Sequence, residues 1–268
     1  MGKIFLPLML IIFLMTGCGR GEQNSKNINS TKYSRIITIG VDDEFAPICF
    51  HDANNNLVGF DIDLAKEAAR RMNVEVEFKP IDWDKKREAI TSGSVDMIWN
   101  GLDITDERKE YMIFSEPYMD DRQVLLIRTE NAEDIRSISD LKDKIVGTQA
   151  GSTSETYLNQ DEDFKNEFKE FKAYDKLGKG LDDLKNGAID VFICDELVAR
   201  YEMKEHPNQL EIIGIETGVI TPTGIGFAKD KTELRDRVQK VFDEMVEDGT
   251  AKEISEKWFH ADLIRSRK

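Results

Sequence analysis

Arg108 and Asp195 are the residues of this chain whose types and settings could do chemistry together. A planar guanidinium can face both oxygens of a carboxylate, and a carboxylate can take an ammonium. Each follows the same local pattern. Ser92-Gly93-Ser94-Val95-Asp96-Met97-Ile98-Trp99-Asn100 stands a short loop before Arg108, and Asn186-Gly187-Ala188-Ile189-Asp190-Val191-Phe192-Ile193-Cys194 runs straight into Asp195. In both, a helix-like run stops at a glycine, where a left-handed cap is easiest, and an apolar run of buried-strand character follows. The polar residues therefore stand at strand ends, and open α/β sheets bind ligands beyond the carboxyl ends of their strands. Two such sheets face to face would bring guanidinium and carboxylate into one cleft, the charge pattern that holds a zwitterion. On these two segments alone an ordinary surface ion pair between similar strands is the simpler account. The remaining sequence turns the balance.

The elements that would position these residues alternate in type. The spacing predicts a β-branched strand over 35–41, short strands at 49–50 and 57–60 around a 52–56 turn, and a helix over 61–72 carrying Leu64, Ala65, Ala68, Ala69 and Met72, with Asp61 as its N-cap. Val74, Val76 and Phe78 alternate as a strand, 83–92 reads as helix and 95–99 as the next strand. The alternation resumes with a strand at 145–148, a helix at 152–158, a strand at 168–174, a helix at 176–186 and a strand at 189–193. Leu234, Val238, Val241, Phe242 and Met245 then form an amphipathic helix closed by Gly249, and a short helix ends at Trp258-Phe259. This order predicts α/β lobes around parallel sheets.

The N-terminus points to export. Lys3 is a minimal positive region, residues 4–15 are apolar apart from Pro7, and Met15-Thr16-Gly17-Cys18 ends the run with small residues before a cysteine. The run is shorter than the roughly 18 to 20 residues that span a bilayer, so it reads as a signal over 1–17. Its ending resembles a bacterial lipobox, with Met15 where Leu is usual, and implies a diacylglycerol on the Cys18 thiol. Residues 18–34 are polar and form a flexible tether. No later stretch is apolar enough to cross a membrane, which places a soluble body at the outer face of the cytoplasmic membrane. The chain carries 37 basic and 52 acidic residues, a net charge of −15, which disfavours nucleic acid and anionic membrane surfaces. Besides Cys18, Cys49 and Cys194 are expected as free thiols in different lobes. His51, His206 and His260 are scattered, and only Cys49 with His51 could begin a metal site, so no metal and no cofactor is expected.

The segment Gly59-Phe60-Asp61-Ile62-Asp63-Leu64-Ala65-Lys66-Glu67-Ala68-Ala69-Arg70-Arg71-Met72 resembles the signature of family 3 extracellular solute-binding proteins, the polar amino-acid receptors of ABC importers. Residues 100–108 (NGLDITDER), 114–118 (FSEPY) and 248–259 (DGTAKEISEKWF) agree with it, and the likeness runs from about residue 35 to 259. It implies a type II periplasmic-binding-protein fold: two α/β lobes joined by two crossover strands, near 120–126 and 218–226, with the ligand cleft between them. Lobe 1 would comprise 35–122 and 217–268, and lobe 2 would be 123–216.

The resemblance also implies roles. Arg108 matches the carboxylate-binding arginine, Ser152 and Thr153 open a helix from lobe 2 towards the same carboxylate, and Asp195 matches the acid that takes the α-ammonium. Asn100, Gly101 and Asp103 lie on the loop before Arg108. Asp103 stands where a Ser or Thr is common, and an ionised carboxylate there strengthens an ammonium site. Phe45 and Trp83 match the aromatic pair that sandwiches the ligand side chain, and Asp42 the acid near its distal polar group. Gln149 and Cys194 are further lobe 2 contacts, while Asp43 and Glu44 face solvent. The expected protein is a monomeric, lipid-anchored binding component of an importer, not an enzyme, that delivers a polar and preferably cationic amino acid to an ABC permease and, through it, the ATPase subunits. Glutamine or cystine as ligand, a sensor role, and a dehydratase of the same fold are the alternatives.

Overall fold

Residues 36–213 and 220–266 are described by a computed structural model, and they fall within one unit of the chain, Ser34–Lys268. The signal, the tether and Cys18, together with the expected boundary at 216/217, lie outside the described residues.

The β-branched run forms β1 (Ile37–Val41), and β2 (Glu44–Phe45), β3 (Cys49–His51) and β4 (Leu57–Val58) pair into a small antiparallel sheet around the expected turn. α1 (Phe60–Met72) buries Ile62, Leu64, Ala65, Ala68 and Ala69 on one face, which is why its apolar residues recur at helical spacing. β5 (Val76–Pro80), a 3₁₀ turn at Trp83–Lys85, α2 (Lys86–Thr91), β6 (Met97–Ile98), α3 (Asp106–Lys109) and β7 (Met112–Phe114) follow. β8 (Met119–Asp121) then leads into β9 (Gln123–Arg128), β10 (Ile145–Gln149), α4 (Thr153–Gln160), α5 (Glu162–Lys165) and β11 (Glu170–Tyr174). α6 (Leu177–Lys185), β12 (Val191–Asp195), α7 (Glu196–Glu205) and β13 (Leu210–Ile213) complete that half. β14 (Thr221–Thr223) returns beside β8, and β15 (Gly226–Ala228), α8 (Thr232–Glu247) and α9 (Thr250–Phe259) rejoin the first half.

Two five-stranded sheets result, ordered β5-β1-β6-β15-β7 and β11-β10-β12-β9-β13. Their centres, β5-β1-β6 and β11-β10-β12, are parallel as the alternation predicts. Neither sheet is wholly parallel, however. β15 runs antiparallel to β6 and β7, and β9 antiparallel to β12 and β13, because these strands enter their sheets directly from the β8–β14 ribbon and so from the opposite end. The twin glycines, Gly93 and Gly187, take nearly equal left-handed φ values, +76° and +77°, and each turns the chain out of a helix towards a central strand.

The core of the first half joins α1, α8 and the sheet. Trp99, Tyr118 and Phe242 are fully enclosed, and the Trp99 and Phe242 rings meet edge to face at 6.1 Å. Truncating such a phenylalanine costs roughly 3–5 kcal/mol. Asp61 departs from its expected place. Gly59 caps α1, and Asp61 turns inward, where its carboxylate accepts the Tyr118 hydroxyl (2.8 Å) and the Gly101 N–H (2.6 Å). Full burial, offset only in part by these donors, raises its pKa to about 7. Asp61 is the second residue of α1 itself and lies on its buried face, so it meets Tyr118 and Gly101 rather than the free N–H groups of the first turn.

Candidate functional site

The carboxyl ends of β1, β6, β10 and β12 converge between the two sheets, and the residues just beyond them build a cleft. Its walls include Arg108 and Asp103 from the first half and Thr153, Cys194 and Asp195 from the second. Phe45, Trp83, Gly101, Gln149 and Ser152 line it as well. Asn100 Oδ1 accepts the Asp42 N–H (3.1 Å), which ties the ends of β1 and β6 together, and the Asp42 carboxylate accepts the Gln149 amide from the opposite wall of the cleft. Burial raises the Asp42 pKa.

Arg108 owes its place to a short capped helix. The Thr105 hydroxyl accepts the Arg108 N–H at the start of α3, and the side chain folds back so that Nη1 donates to the Asp103 carbonyl (2.9 Å). Nη2 reaches the Gly151 carbonyl (3.4 Å), across the cleft. On the opposite wall Ser152 caps α4 by accepting the Glu155 N–H (3.1 Å), and Thr153 donates its hydroxyl to Asp103 Oδ2. The cleft is thus bridged directly by Arg108–Gly151, Asp103–Thr153 and Asp42–Gln149.

The electrostatics favour an incoming cation. Burial and the neighbouring Asp195 charge raise Asp103 to about 7, against the lowering pull of Arg108. Asp195 is raised by burial, with Gln123, Asp121 and Arg108 acting the other way. A positive group between Asp103 and Asp195 would relieve both.

Several members of the site were missed from the sequence. Gln123, Thr148, Leu177 and Ile193 also line the cleft. Lys86 is buried and donates to the Gly151 carbonyl (2.6 Å) and the Trp83 carbonyl (3.0 Å), with its ammonium 5.3 Å from the Trp83 ring centre. Burial and the Arg108 charge lower its pKa to about 7. The available signal was a lysine three residues before Ala89 and four before Ile90, on the buried face of α2. Gly151 lets the two halves approach closely: at φ +72° its missing Cβ would lie 2.7 Å from Asp84 Cα and 2.9 Å from Lys86 Nζ. Cys49 and Cys194 are free thiols, and burial pushes both well above the ordinary thiol range. No group of three or more metal-ligating side chains occurs among the described residues.

The sequence profile of the bacterial extracellular solute-binding proteins, family 3, matches residues 37–261. This chain belongs to that family. A curated relative, an L-cystine-binding protein of Bacillus subtilis, is 29% identical over 276 residues, covering 99% of this chain and 100% of its own. Among solved structures, an ABC uptake transporter substrate-binding protein from Streptococcus pneumoniae with bound histidine is similar at a TM-score of 0.81 and 33% identity, covering 86% of this chain and 95% of that one. An ancestral arginine-binding protein bound to arginine is similar at 0.78 and 39%, covering 84% and 98%. The type II fold expected of a family 3 member is the architecture described above: two α/β halves, a two-stranded ribbon between them and a cleft at the strand ends. The named relatives are binding proteins, and the family description places such proteins outside the cell.

Proposed function

We propose that this family 3 protein captures a free amino acid between its two lobes and presents the closed complex to the membrane permease of an ABC importer, held at the membrane by a lipid on Cys18. One observation carries the reading: Arg108, from α3 of the first half, and Asp195, from the end of β12 in the second, line a single cleft. The guanidinium fork takes the ligand carboxylate, with the first N–H groups of α4 facing it from the other wall. Asp195 and Asp103 take the ammonium. Phe45 and Trp83 flank the side chain, and the excess of carboxylates over guanidinium favours a cationic or strongly polar ligand. The relatives named for cystine, histidine and arginine are in keeping with that class.

Closure follows from the same contacts. The carboxylate and the ammonium each meet both walls, so a ligand stabilises the closed form by interactions the open form lacks. Calorimetry with a panel of common amino acids and cystine tests the assignment. Tight binding of arginine, lysine, histidine, glutamine or cystine is expected, and scattering profiles become more compact at saturation. Tight binding of glutamate, leucine or valine alone would overturn the ligand class, and no response to any amino acid would overturn the function. For the anchor, Cys18→Ala is expected to move the protein from the membrane fraction to the soluble extracytoplasmic fraction.

A further inference from the structure

Asp121 belongs to no role so far, yet it is buried at the end of β8 and directly behind the ammonium site. Gln123 and Asp195 are register partners across the β9–β12 pair, and Asp121 lies two residues before Gln123, on the same face. The Ser154 hydroxyl donates to Gln123 Oε1, which leaves the amide nitrogen to serve Asp121 Oδ2 (2.6 Å) and Asp195 Oδ1. One amide nitrogen thus holds the two carboxylates side by side, with Asp121 buried. Two like charges that close and out of water cannot both ionise at ordinary pH, so one of them remains an acid. Asp121 is the one cut off from the cleft, whereas Asp195 opens on it.

We propose that Asp121 is a positioning residue that stands protonated behind Asp195 and shares the Gln123 amide with it, so that capture of a ligand ammonium by Asp195 is linked to release of a proton. This rests on the function proposed above and goes beyond it in assigning a proton to the site.

The groups that act on the pair are few. Asp195 and Asp103 face Asp121 with negative charge, and together with burial they hold its proton far above the usual carboxylate range. Arg108 acts on Asp195 from the cleft. On its other side Asp121 lines a groove shared with Arg122, Glu196 and Arg200 of α7, Lys257 of α9 and His260. A ligand ammonium is a new cation at Asp195. It offsets the negative charge that Asp195 presents to Asp121, and affinity therefore rises with pH, by up to about tenfold per unit while Asp121 is protonated in the free protein and ionised in the complex.

Asp121→Asn separates this from a structural role, because the amide keeps the side chain's shape and its acceptor for Gln123 but cannot ionise. L-arginine, L-histidine, L-glutamine and L-cystine are titrated calorimetrically in buffers of different ionisation enthalpy from about pH 5 to pH 8. The unchanged protein is expected to release more protons on binding than D121N and to show the steeper rise of affinity with pH. Asp121→Ala, which removes the acceptor that helps hold the Gln123 amide against Asp195, is expected to bind at least about tenfold more weakly than D121N. Equal proton release and equal pH profiles for the unchanged protein and D121N would overturn the proposal. If none of the probes binds, the proposed function fails, and ligand-free melting still decides the pair. An acid whose folded pKa is raised loses stability as pH rises through it, so D121N should gain in melting temperature over the unchanged protein as pH increases, and a difference that is constant with pH would refute a protonated Asp121.

Discussion

Replacing Arg108 by alanine should abolish useful amino-acid affinity while leaving the protein folded. The side chain is buried, spans the cleft through its bonds to the Asp103 and Gly151 carbonyls, and is the guanidinium of the cleft wall. Removing one member of a desolvated, hydrogen-bonded charge pair costs about 2–5 kcal/mol, which is roughly 30-fold to several thousand-fold in affinity. The free protein loses the Asp103 contact as well, at about 1–3 kcal/mol, and a domain of this size falls by about 2–4 °C per kcal/mol. Asp103 and Asp195 also lose the charge that lowers their pKa values, so each holds its proton to higher pH in the variant. Arg108→Lys keeps the charge without the fork and should recover part of the affinity. Calorimetry with the best ligand of the panel, beside thermal melting of the free protein, reads both effects. An alanine variant that binds within about threefold of the unchanged protein would show that Arg108 does not hold the ligand carboxylate, and the assignment of the cleft would fall with it.

Tyr118→Phe should destabilise the fold by about 1.5–3 kcal/mol, because it leaves the buried Asp61 with fewer donors. The loss should be larger at pH 8 than at pH 5, since the Asp61 pKa of about 7 means that its carboxyl ionises as pH rises through that value, and melting curves at both pH values check it. Gln149→Ala breaks the bond from the second half to Asp42 and leaves a buried carboxylate short of a donor, so scattering of the free protein should shift towards the open form. An unchanged profile would show that this bond does not bias closure. Cys49 and Cys194 should resist a thiol reagent in the native protein and react on unfolding, as two buried thiols with raised pKa values must, and labelling followed by mass mapping reads each site.

The periodicity of this sequence determined a good deal by itself. Helical and strand spacing are local properties, so α1, α6, α8 and the central parallel strands were legible within a few residues, and the twin segments that open at Gly93 and Gly187 marked where polar side chains leave a strand. The family motif then assigned Arg108 and Asp195 to one cleft, where the structure brings them. What the tertiary structure decided was the partner of each polar group. Asp61 looked like a cap and is a buried acceptor for residues 40 and 57 positions away. Asp42, expected near the ligand's distal polar group, is bound in this structure to Gln149, 107 positions on. Gln123 and Asp121 carry no local signal of function, and Lys86 only its spacing from Ala89 and Ile90, because a charge or an amide on a short element reads as solvent-facing until another segment covers it. The chain's own pattern sets which faces are apolar. Which buried charges meet, and which must keep a proton, depends on distances between segments that only folding brings together.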